Sequence, residues 1–375
     1  MQKKILMLAY DFPPNWGGVA TYGWELAHEF QNQGCKVTVM TQNRGDFPET
    51  ELNIIPLKLP KTGLLSIPAW TTYLIQHLRK NEYDHIFCNL WLPEATSLHF
   101  ALTALKKQIP YSVSVHAMEI VESSETVKKR LRKKMSFLKK PVFGSAKKIF
   151  CVSRFTKKLL QKQTQLPIGN IEVVANGANP NHFFKTKDKT VHPTLFTASR
   201  LLPNKGIDQV IKALPRILKE FPKTEYRISG DGPDKQRLIK LTEMMGVKDS
   251  VKFLGKISNE QLIDEYSQSH LCVMLSRKQN HYVEGFGLVF LEAALCETAS
   301  LGGNSGGIPD AIQDNQTGWL VDPYNPQEIE AKLLELLKDS KNLFEMGQKA
   351  KEFTLNNRQW KHCAEKILKH LGEAQ

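Results

Sequence analysis

Short apolar runs alternate with longer amphipathic segments along the whole chain. Runs of this length suit strands that are buried on both faces of a parallel sheet. In the first half they lie at Ile5–Ala9, Lys36–Thr41, His85–Cys88, Tyr111–Val115, Ile149–Val152 and Ile171–Val174. After a polar stretch the pattern restarts, with strands predicted at 194–199, 225–229, 251–254, 271–275 and 298–301 and helices at 206–221, 234–245 and 326–338. The pattern predicts an α/β fold of two doubly wound domains in tandem.

The chain length agrees with two domains, because 375 residues exceed what one hydrophobic core usually organises. The polar stretch 185–193 is typical of a linker, so we place the domains at 1–187 and 188–357. The remaining residues, 358–375, have helical periodicity from Trp360 onward. We expect a ligand cleft between the two domains. No apolar run approaches the roughly 20 residues that span a bilayer.

The composition is that of an ordinary globular protein, with 41% hydrophobic and 24% charged residues. The apolar run near the amino terminus is too short for a signal peptide and lacks a cleavage site, so it is predicted to be the first strand. The six cysteines form no C-x-x-C pair, and several lie in apolar stretches. We therefore expect reduced cysteines in the core and a cytoplasmic location.

The formal net charge of +13 comes from the first half of the chain. Between Thr126 and Ile171 there are 14 basic residues and no acidic one. Each basic residue near an anionic lipid surface contributes about 1 kcal/mol to binding. One hypothesis is that residues 126–171 dock the protein on the inner face of an anionic membrane; a merely solvated basic helix is the alternative of equal weight. Nucleic acid is a poorer candidate, because the stretch holds few aromatic residues.

A doubly wound sheet binds ligands at the loops that follow its strands. The loop after the first strand carries Gly17 and Gly18 at the start of a helix, where backbone N–H groups can approach an anion; a plain tight turn is the alternative. The loop lacks the G-x-G-x-x-G pattern, so a dehydrogenase loses support. His116 ends another strand, three residues before Glu119, and is a candidate catalytic residue.

The second half of the chain places charged residues at similar loops. Arg200 ends a strand and Lys205 precedes a helix, and such a pair of cations can neutralise a leaving diphosphate without Mg²⁺. Glu284 and Glu292 enclose a glycine-broken start of the predicted helix Leu288–Leu295. Their separation is about 12 Å if the rise is helical throughout. Two carboxylates at that distance suit the hydroxyls of a sugar and of a ribose.

In this order the motifs resemble glycosyltransferase family 4, whose GT-B architecture consists of two facing Rossmann-like domains with a cleft between them. The resemblance covers almost the whole chain. Its motifs are Pro14-x-x-Gly17-Gly18, His116-x-x-Glu119, Val174-x-Asn176-Gly177, Ser199-Arg200 with Lys205-Gly206, Gly230-x-Gly232-Pro233, Glu284 with Glu292, Ser305-Gly306-Gly307 and Gly318-x-x-Val321. The chain departs from the family pattern at Asn179, at Cys296–Ser300 and at Asn89–Trp91, and the last of these leaves the acceptor open.

The resemblance implies roles that the residues alone do not give. His116 and Glu284 would be catalytic, with His116 hydrogen-bonded to the donor sugar near the reacting carbon and Glu284 bound to the transferred sugar. The family retains the anomeric configuration and needs no metal ion or other cofactor, and its last helix crosses back to the first domain. The implied donor-binding residues are Gly17, Gly18, Arg200 and Lys205 for the diphosphate, Lys256 and Ile257 for the base, Phe286, Gly287, Leu288 and Val289 for the sugar and Glu292 for the ribose.

The context His281-Tyr282-Val283 before Glu284 resembles mannosyltransferases that use GDP-mannose and lipid acceptors. GDP-mannose is therefore the first choice of nucleotide-sugar donor, with UDP-hexoses and UDP-N-acetylglucosamine close behind. The expected reaction moves a hexose to a glycan or lipid-linked acceptor in envelope polysaccharide or glycolipid synthesis. A nucleotide-sugar epimerase of the GT-B fold and an inactive nucleotide-sugar-binding protein are the alternatives.

Overall fold

The computed structural model describes residues 2–60, 65–121, 133–166 and 168–372. The chain divides into two compact units. One comprises Met1–Asn176 together with Trp360–Gln375, and the other comprises Gly177–Gln359. Each unit is built on a parallel β-sheet of its own.

The first unit contains a seven-stranded sheet in the order β3-β2-β1-β4-β5-β6-β7. Its strands are β1 Lys4–Ala9, β2 Lys36–Gln42, β3 Asn53–Leu57, β4 His85–Cys88, β5 Tyr111–Val115, β6 Lys148–Cys151 and β7 Ile171–Val173. Its helices are α1 Gly18–Asn32, α2 Ile67–Lys80, α3 Thr96–Leu105, α4 Lys139–Gly144 and α5 Arg154–Thr164, with a kinked turn at Trp91–Ala95 and 3₁₀ turns at Ser136–Leu138 and Ile168–Asn170. The six strands predicted here are confirmed, and β3 is additional.

The second unit contains a six-stranded sheet in the order β10-β9-β8-β11-β12-β13. Its strands are β8 Thr194–Ala198, β9 Glu225–Ser229, β10 Val251–Gly255, β11 Leu271–Met274, β12 Ala299–Gly303 and β13 Trp319–Val321. Its helices are α6 Ile207–Glu220, α7 Lys235–Met244, α8 Asn259–Gln268, α9 Leu288–Leu295, α10 Ile308–Ala311, α11 Pro326–Lys338 and α12 Ser340–Asn357, with 3₁₀ turns at Pro203–Lys205 and Lys248–Ser250. The five strands predicted here are confirmed, and β13 is additional.

The last helix, α13 Trp360–Gly372, belongs to the first unit and packs against α1. The Trp360 ring lies edge-on to Tyr22 of α1, with 5.8 Å between centroids. The amphipathic pattern of this helix explains the contact, because its apolar side chains Trp360, Cys363 and Ile367 are all buried.

The central strands are buried on both faces, as parallel strands covered by helices should be. Ile5 to Ala9 in β1 and Leu271 to Val273 in β11 have no exposed surface. All six cysteines are free and buried, which confirms their prediction as core residues.

The polar stretch 185–193 lies within the second unit, although its composition is typical of a linker. Lys189 Nζ donates to Ser269 O at 2.7 Å and to Thr298 Oγ1 at 2.6 Å, and burial lowers its pKa to about 8. The chain instead changes units at Asn176 and again at Gln359, where Ala178 N–H donates to Arg358 O at 2.8 Å. The stretch 185–193 is polar because its side chains bond to the neighbouring surface, and this composition resembles that of a linker.

The first sheet has its switch point between β1 and β4, where successive strands turn to opposite sides. Across it, Tyr10 N–H donates to Glu94 Oε1 at 2.8 Å. Glu94 lies in the kinked turn after β4 and is fully buried, which raises the pKa of its carboxyl to about 8. Its Oε2 atom has no hydrogen-bond partner among the described residues.

The raised pKa of Glu94 makes stability depend on pH. From about pH 4.5 to 8 the native state keeps this proton and the unfolded chain loses it, so the free energy of unfolding falls as pH rises. Glu94→Gln keeps a neutral side chain of the same shape and removes this slope. We expect urea unfolding to show a smaller loss of stability between about pH 5 and pH 8 in E94Q than in the wild type. Glu82→Gln, at an exposed position, is the control; a slope that persists in E94Q would refute the assignment.

Candidate functional site

The second sheet has its switch point between β8 and β11, and two predicted site residues meet there. Lys205 follows β8 and Glu284 follows β11. Lys205 Nζ donates to Glu284 Oε2 at 2.6 Å, and the two side chains are only 17% and 18% exposed. An ammonium and a carboxylate thus form a charge-assisted pair at the carboxyl edge of the sheet.

The backbone of Glu284 is fixed by the glycine turn that follows β12. Gly307 N–H donates to Glu284 O at 2.9 Å. Gly306 has a positive φ of 61°, and a Cβ at this position would collide with Glu284 O. The Ser305-Gly306-Gly307 motif therefore holds Glu284 in place, because only glycine allows this close approach.

The loop that carries Arg200 is held by the neighbouring turn after β9. Leu201 N–H donates to Asp231 O at 3.0 Å, and Ser199 N–H donates to Ser229 O at 3.0 Å. Gly230, with φ of 124°, packs so closely on Ser199 O that a side chain would collide with it. The Arg200 side chain itself is exposed and forms no hydrogen bond or ion pair with any described residue. Its guanidinium is available to a ligand.

A second ion pair stabilises the turn that carries Lys205. Arg277 forms two hydrogen bonds with Asp208 in the first turn of α6, at 3.0 and 2.9 Å, and both side chains are nearly buried. Arg277 N–H also donates to Asn204 O at 2.8 Å. The two-pronged geometry ties the segment after β11 to the turn after β8. Arg277 could not be found from the sequence, since nothing in its local pattern distinguishes it from a surface arginine.

Helix α9 spans Leu288–Leu295 as predicted, and it begins immediately after Gly287. The helical rise does not extend back to Glu284, so the 12 Å estimate of the separation from Glu292 does not apply. Phe286 and Gly287 are buried, while Leu288 and Val289 are half-buried in the first turn. The N–H groups of a first helical turn lack acceptors within the helix and can bind an electronegative group.

Glu292 lies on α9 and accepts a hydrogen bond from the Tyr266 hydroxyl, with 3.0 Å between Tyr266 Oη and Glu292 Oε2. Burial raises the pKa of Glu292 to about 7. Ile257 and Val289 pack in the apolar cluster around Tyr266, whereas Lys256 is exposed. The structure thus brings Ile257, Val289 and Glu292 together around a tyrosine that the sequence analysis missed.

In the first unit, Gly17 and Gly18 are exposed at the start of α1. Gly17 precedes the helix, and its carbonyl accepts the Thr21 N–H at 2.8 Å. A side chain at either glycine would meet no atom within 4 Å, so the surface above this helix start is open.

His116 is half-buried after β5, and Glu119, Asn89 and Tyr22 contact its backbone or its ring. Its backbone N–H donates to Glu119 Oε1 at 2.5 Å, and its Nε2 lies 3.1 Å from Asn89 O. A carbonyl only accepts, so Nε2 carries the proton and Nδ1 is left as an acceptor. The ring stands edge-on to Tyr22, with centroids 4.6 Å apart. Burial lowers the pKa of His116 below its ordinary value, which favours the neutral imidazole at pH 7.

The basic stretch 126–171 separates into three groups. Lys128, Lys129, Arg130 and Arg132 lie outside the described residues. Four more lysines have their ammonium groups bonded to backbone carbonyls of the first unit, namely Lys139, Lys147, Lys148 and Lys157. The remaining six are exposed: Lys133, Lys134, Lys140, Arg154, Lys158 and Lys162. Phe137, between two of these lysines, is 73% exposed.

Within residues 2–60, 65–121, 133–166 and 168–372, no group of three or more His, Cys, Asp or Glu side chains is arranged to hold a metal ion. No helix in these ranges is both long enough and apolar enough to cross a bilayer.

Family models match both halves of the chain. Residues 16–182 match the model "Glycosyltransferase Family 4", and residues 178–353 match the model "Glycosyl transferases group 1". The two matches follow each other along the chain and leave only its ends uncovered. The chain belongs to glycosyltransferase family 4 and is a glycosyltransferase.

Curated relatives of this chain include transferases and a synthase. It is 25% identical to a GDP-mannose-dependent alpha-(1-6)-phosphatidylinositol monomannoside mannosyltransferase of Mycolicibacterium smegmatis, over 95% of each chain. It is 24% identical to N-acetyl-alpha-D-glucosaminyl L-malate synthase of Bacillus anthracis, over 94% of this chain and 92% of that one. These relatives do not favour the epimerase.

Solved structures share the fold at low identity. Sucrose-phosphate synthase from Thermosynechococcus elongatus superposes with a TM-score of 0.82 at 19% identity, over 98% of both chains. Anabaena HepE in complex with UDP and glucose gives 0.78 at 18% identity, over 99% of both chains. The predicted α/β fold of the GT-B class is confirmed.

Proposed function

We propose that this protein is a retaining, metal-independent hexosyltransferase that takes its sugar from a nucleotide-sugar. The observation that carries the proposal is the contact between Lys205 and Glu284 at the switch point of the second sheet. Doubly wound sheets bind ligands at this place, and here it offers one cation and one carboxylate side by side. A nucleotide-sugar presents the complementary groups, a diphosphate and sugar hydroxyls.

The chemistry of the site follows from these charges. Lys205 and the unpaired Arg200 can stabilise the negative charge that develops on the leaving diphosphate, which is the task that a metal ion has in other transferases. Glu284 accepts hydroxyl hydrogen bonds from the transferred sugar, and the first turn of α9 offers backbone N–H groups beside it. In the proposed step the acceptor hydroxyl attacks the anomeric carbon on the face that the diphosphate leaves. A phosphate oxygen takes the proton, so no pair of catalytic carboxylates is required.

The roles of Gly17, Gly18 and His116 toward the donor are proposed on the family resemblance. The structure of the first unit supports them in one respect. A neutral His116 with a free Nδ1 can accept a hydrogen bond from a sugar hydroxyl without adding a positive charge.

GDP-mannose remains the first choice of donor. It is supported by the relatives from Mycolicibacterium smegmatis and Corynebacterium glutamicum, both named as GDP-mannose-dependent mannosyltransferases of phosphatidylinositol mannosides. The same names support a lipid-linked acceptor. UDP-sugars follow closely, because Anabaena HepE, which shares the fold, is seen with UDP-glucose.

Replacing Glu284 tests the central assignment. Glu284→Ala should lower kcat about a hundredfold or more, because the group that binds the transferred sugar is lost. Binding of GDP or UDP should change little, since neither carries the sugar. Activity would be followed as nucleotide diphosphate release from GDP-mannose and the UDP-sugars, with and without EDTA, and binding by calorimetry.

Glu297→Ala is the matched control, since this glutamate also pairs with a lysine of the second unit, Lys351, at 2.7 Å. Its turnover should stay near that of the wild type. An unchanged rate in E284A would remove Glu284 from the site, and loss of activity with EDTA would contradict metal independence.

We also propose that the exposed basic residues of the first unit bind an anionic membrane. The proposal is supported by the exposed ring of Phe137, which lies between Lys134 and Lys140 in the chain, since an exposed apolar side chain in a basic segment suits a lipid interface. The four lysines that are bonded to backbone carbonyls do not take part. The location is then peripheral, on the membrane leaflet that carries anionic lipid.

Charge reversal tests this surface. The triple variant Lys133→Glu, Lys134→Glu and Lys140→Glu should lose cosedimentation with vesicles of phosphatidylserine and phosphatidylcholine at low salt, because attraction becomes repulsion. The reversal of three exposed lysines of the second unit, Lys240, Lys252 and Lys349, is the matched control and should retain binding. Equal binding of the wild type to neutral and anionic vesicles would disprove the proposal.

A further inference from the structure

We infer that Tyr266 is a positioning residue for donor binding, which acts by orienting the carboxylate of Glu292 toward the ribose hydroxyls of the nucleotide. The inference rests on the proposed function, in which Glu292 is the ribose-binding group. Tyr266 lies in α8, and its hydroxyl donates to Glu292, through which it would act on the donor.

The position of the Tyr266 hydroxyl is fixed by its surroundings. Tyr266 has no exposed surface, and its ring stands edge-on to Phe196 at 5.2 Å and to Phe183 at 6.3 Å. Its backbone carbonyl accepts the Thr298 hydroxyl at 2.6 Å. Because the ring is packed on two sides and its backbone carbonyl is bonded, the hydroxyl points in one direction, toward Glu292 Oε2.

The hydroxyl is a permanent donor in this site. Burial, and then the charge of Glu292, hold the pKa of Tyr266 well above its ordinary value, so its proton stays on. Glu292 Oε2 therefore accepts from Tyr266, and no described residue donates to the other oxygen, Oε1. The other titratable groups that face this carboxylate are the thiols of Cys272 and Cys296, which burial keeps neutral by raising their pKa to about 12.

Because one oxygen of Glu292 is bonded to Tyr266, only Oε1 is left to accept hydroxyls of a ligand. A carboxylate with one oxygen anchored cannot rotate freely, so its second oxygen is presented in a constant direction to a diol. Without the anchor, the side chain must be ordered each time a nucleotide binds. The hydroxyl of Tyr266 should therefore add to affinity only for ligands that carry the ribose hydroxyls.

The test is a thermodynamic cycle between the protein hydroxyl and the ligand hydroxyls. Calorimetry would measure binding of GDP and of 2′,3′-dideoxy-GDP to the wild type and to Tyr266→Phe, with UDP and its dideoxy analogue in parallel. Y266F keeps the ring contacts and removes one oxygen. We expect it to weaken binding of the ribonucleotide about fivefold, the usual worth of one hydrogen bond, and to leave the dideoxy form unchanged.

Tyr226→Phe is the matched control. Tyr226 is also fully buried in the second unit, and its hydroxyl bonds to Thr197 Oγ1 at 2.8 Å, away from Glu292. This variant should leave binding of both nucleotides unchanged.

Different outcomes would contradict the role of Tyr266, the ribose role of Glu292 and the proposed function. If Y266F weakens the ribonucleotide and the dideoxynucleotide equally, or weakens neither, Tyr266 is only a scaffold residue and the inference is wrong. If the wild type binds both forms equally well, the ribose role of Glu292 fails, and the inference fails with it. If the wild type binds neither GDP nor UDP, the proposed function itself is contradicted.

Discussion

The second unit is organised around one constraint, the pairing of Lys205 with Glu284 at the switch point between β8 and β11. Two opposite charges that are about four-fifths withdrawn from water are costly unless each satisfies the other. The pair is therefore stable only while the turn after β8 and the segment after β11 stay in contact. A ligand that replaces the pair must bring both an anion for Lys205 and hydrogen-bond donors for Glu284. A nucleotide-sugar fulfils both conditions, whereas a simple anion or a simple sugar fulfils one.

Much of the surrounding structure keeps those two side chains in place. The glycine turn after β12 binds the backbone of Glu284, and the Arg277–Asp208 pair stabilises the turn that carries Lys205. In the first unit, the ring of His116 contacts Asn89 and Tyr22, and its backbone N–H donates to Glu119. Tyr22 in turn packs on Trp360 of the last helix, so that helix supports the histidine indirectly. The glycine motifs of the second unit thus hold the backbones of Ser199 and Glu284 in place.

The sequence predicts the sheets well because buried parallel strands are continuous apolar runs. It misses β3, Asn53–Leu57, in which only Leu57 is buried and Pro56 interrupts the apolar run, and β13, which is only three residues long. The candidate residues at strand ends could be found, since a doubly wound fold fixes where such loops meet. The residues that hold them in place could not be found from the sequence. Tyr266, Arg277 and Glu94 have no local signature, and each matters only through a neighbour distant in the chain. The basic stretch 126–171 could not be interpreted fully from the sequence either, because a count of charges does not distinguish a lysine bonded to a carbonyl from one that faces solvent.

The most direct test of the account is a crystal structure of the protein with GDP-mannose, or with whichever nucleotide-sugar binds, held intact by omitting the acceptor. The account predicts that Glu284 leaves Lys205 and accepts hydroxyls of the sugar, while Lys205 and Arg200 contact the diphosphate and Glu292 contacts the ribose. A nucleotide-sugar bound elsewhere, with the 2.6 Å contact between Lys205 and Glu284 still intact, would contradict the central claim.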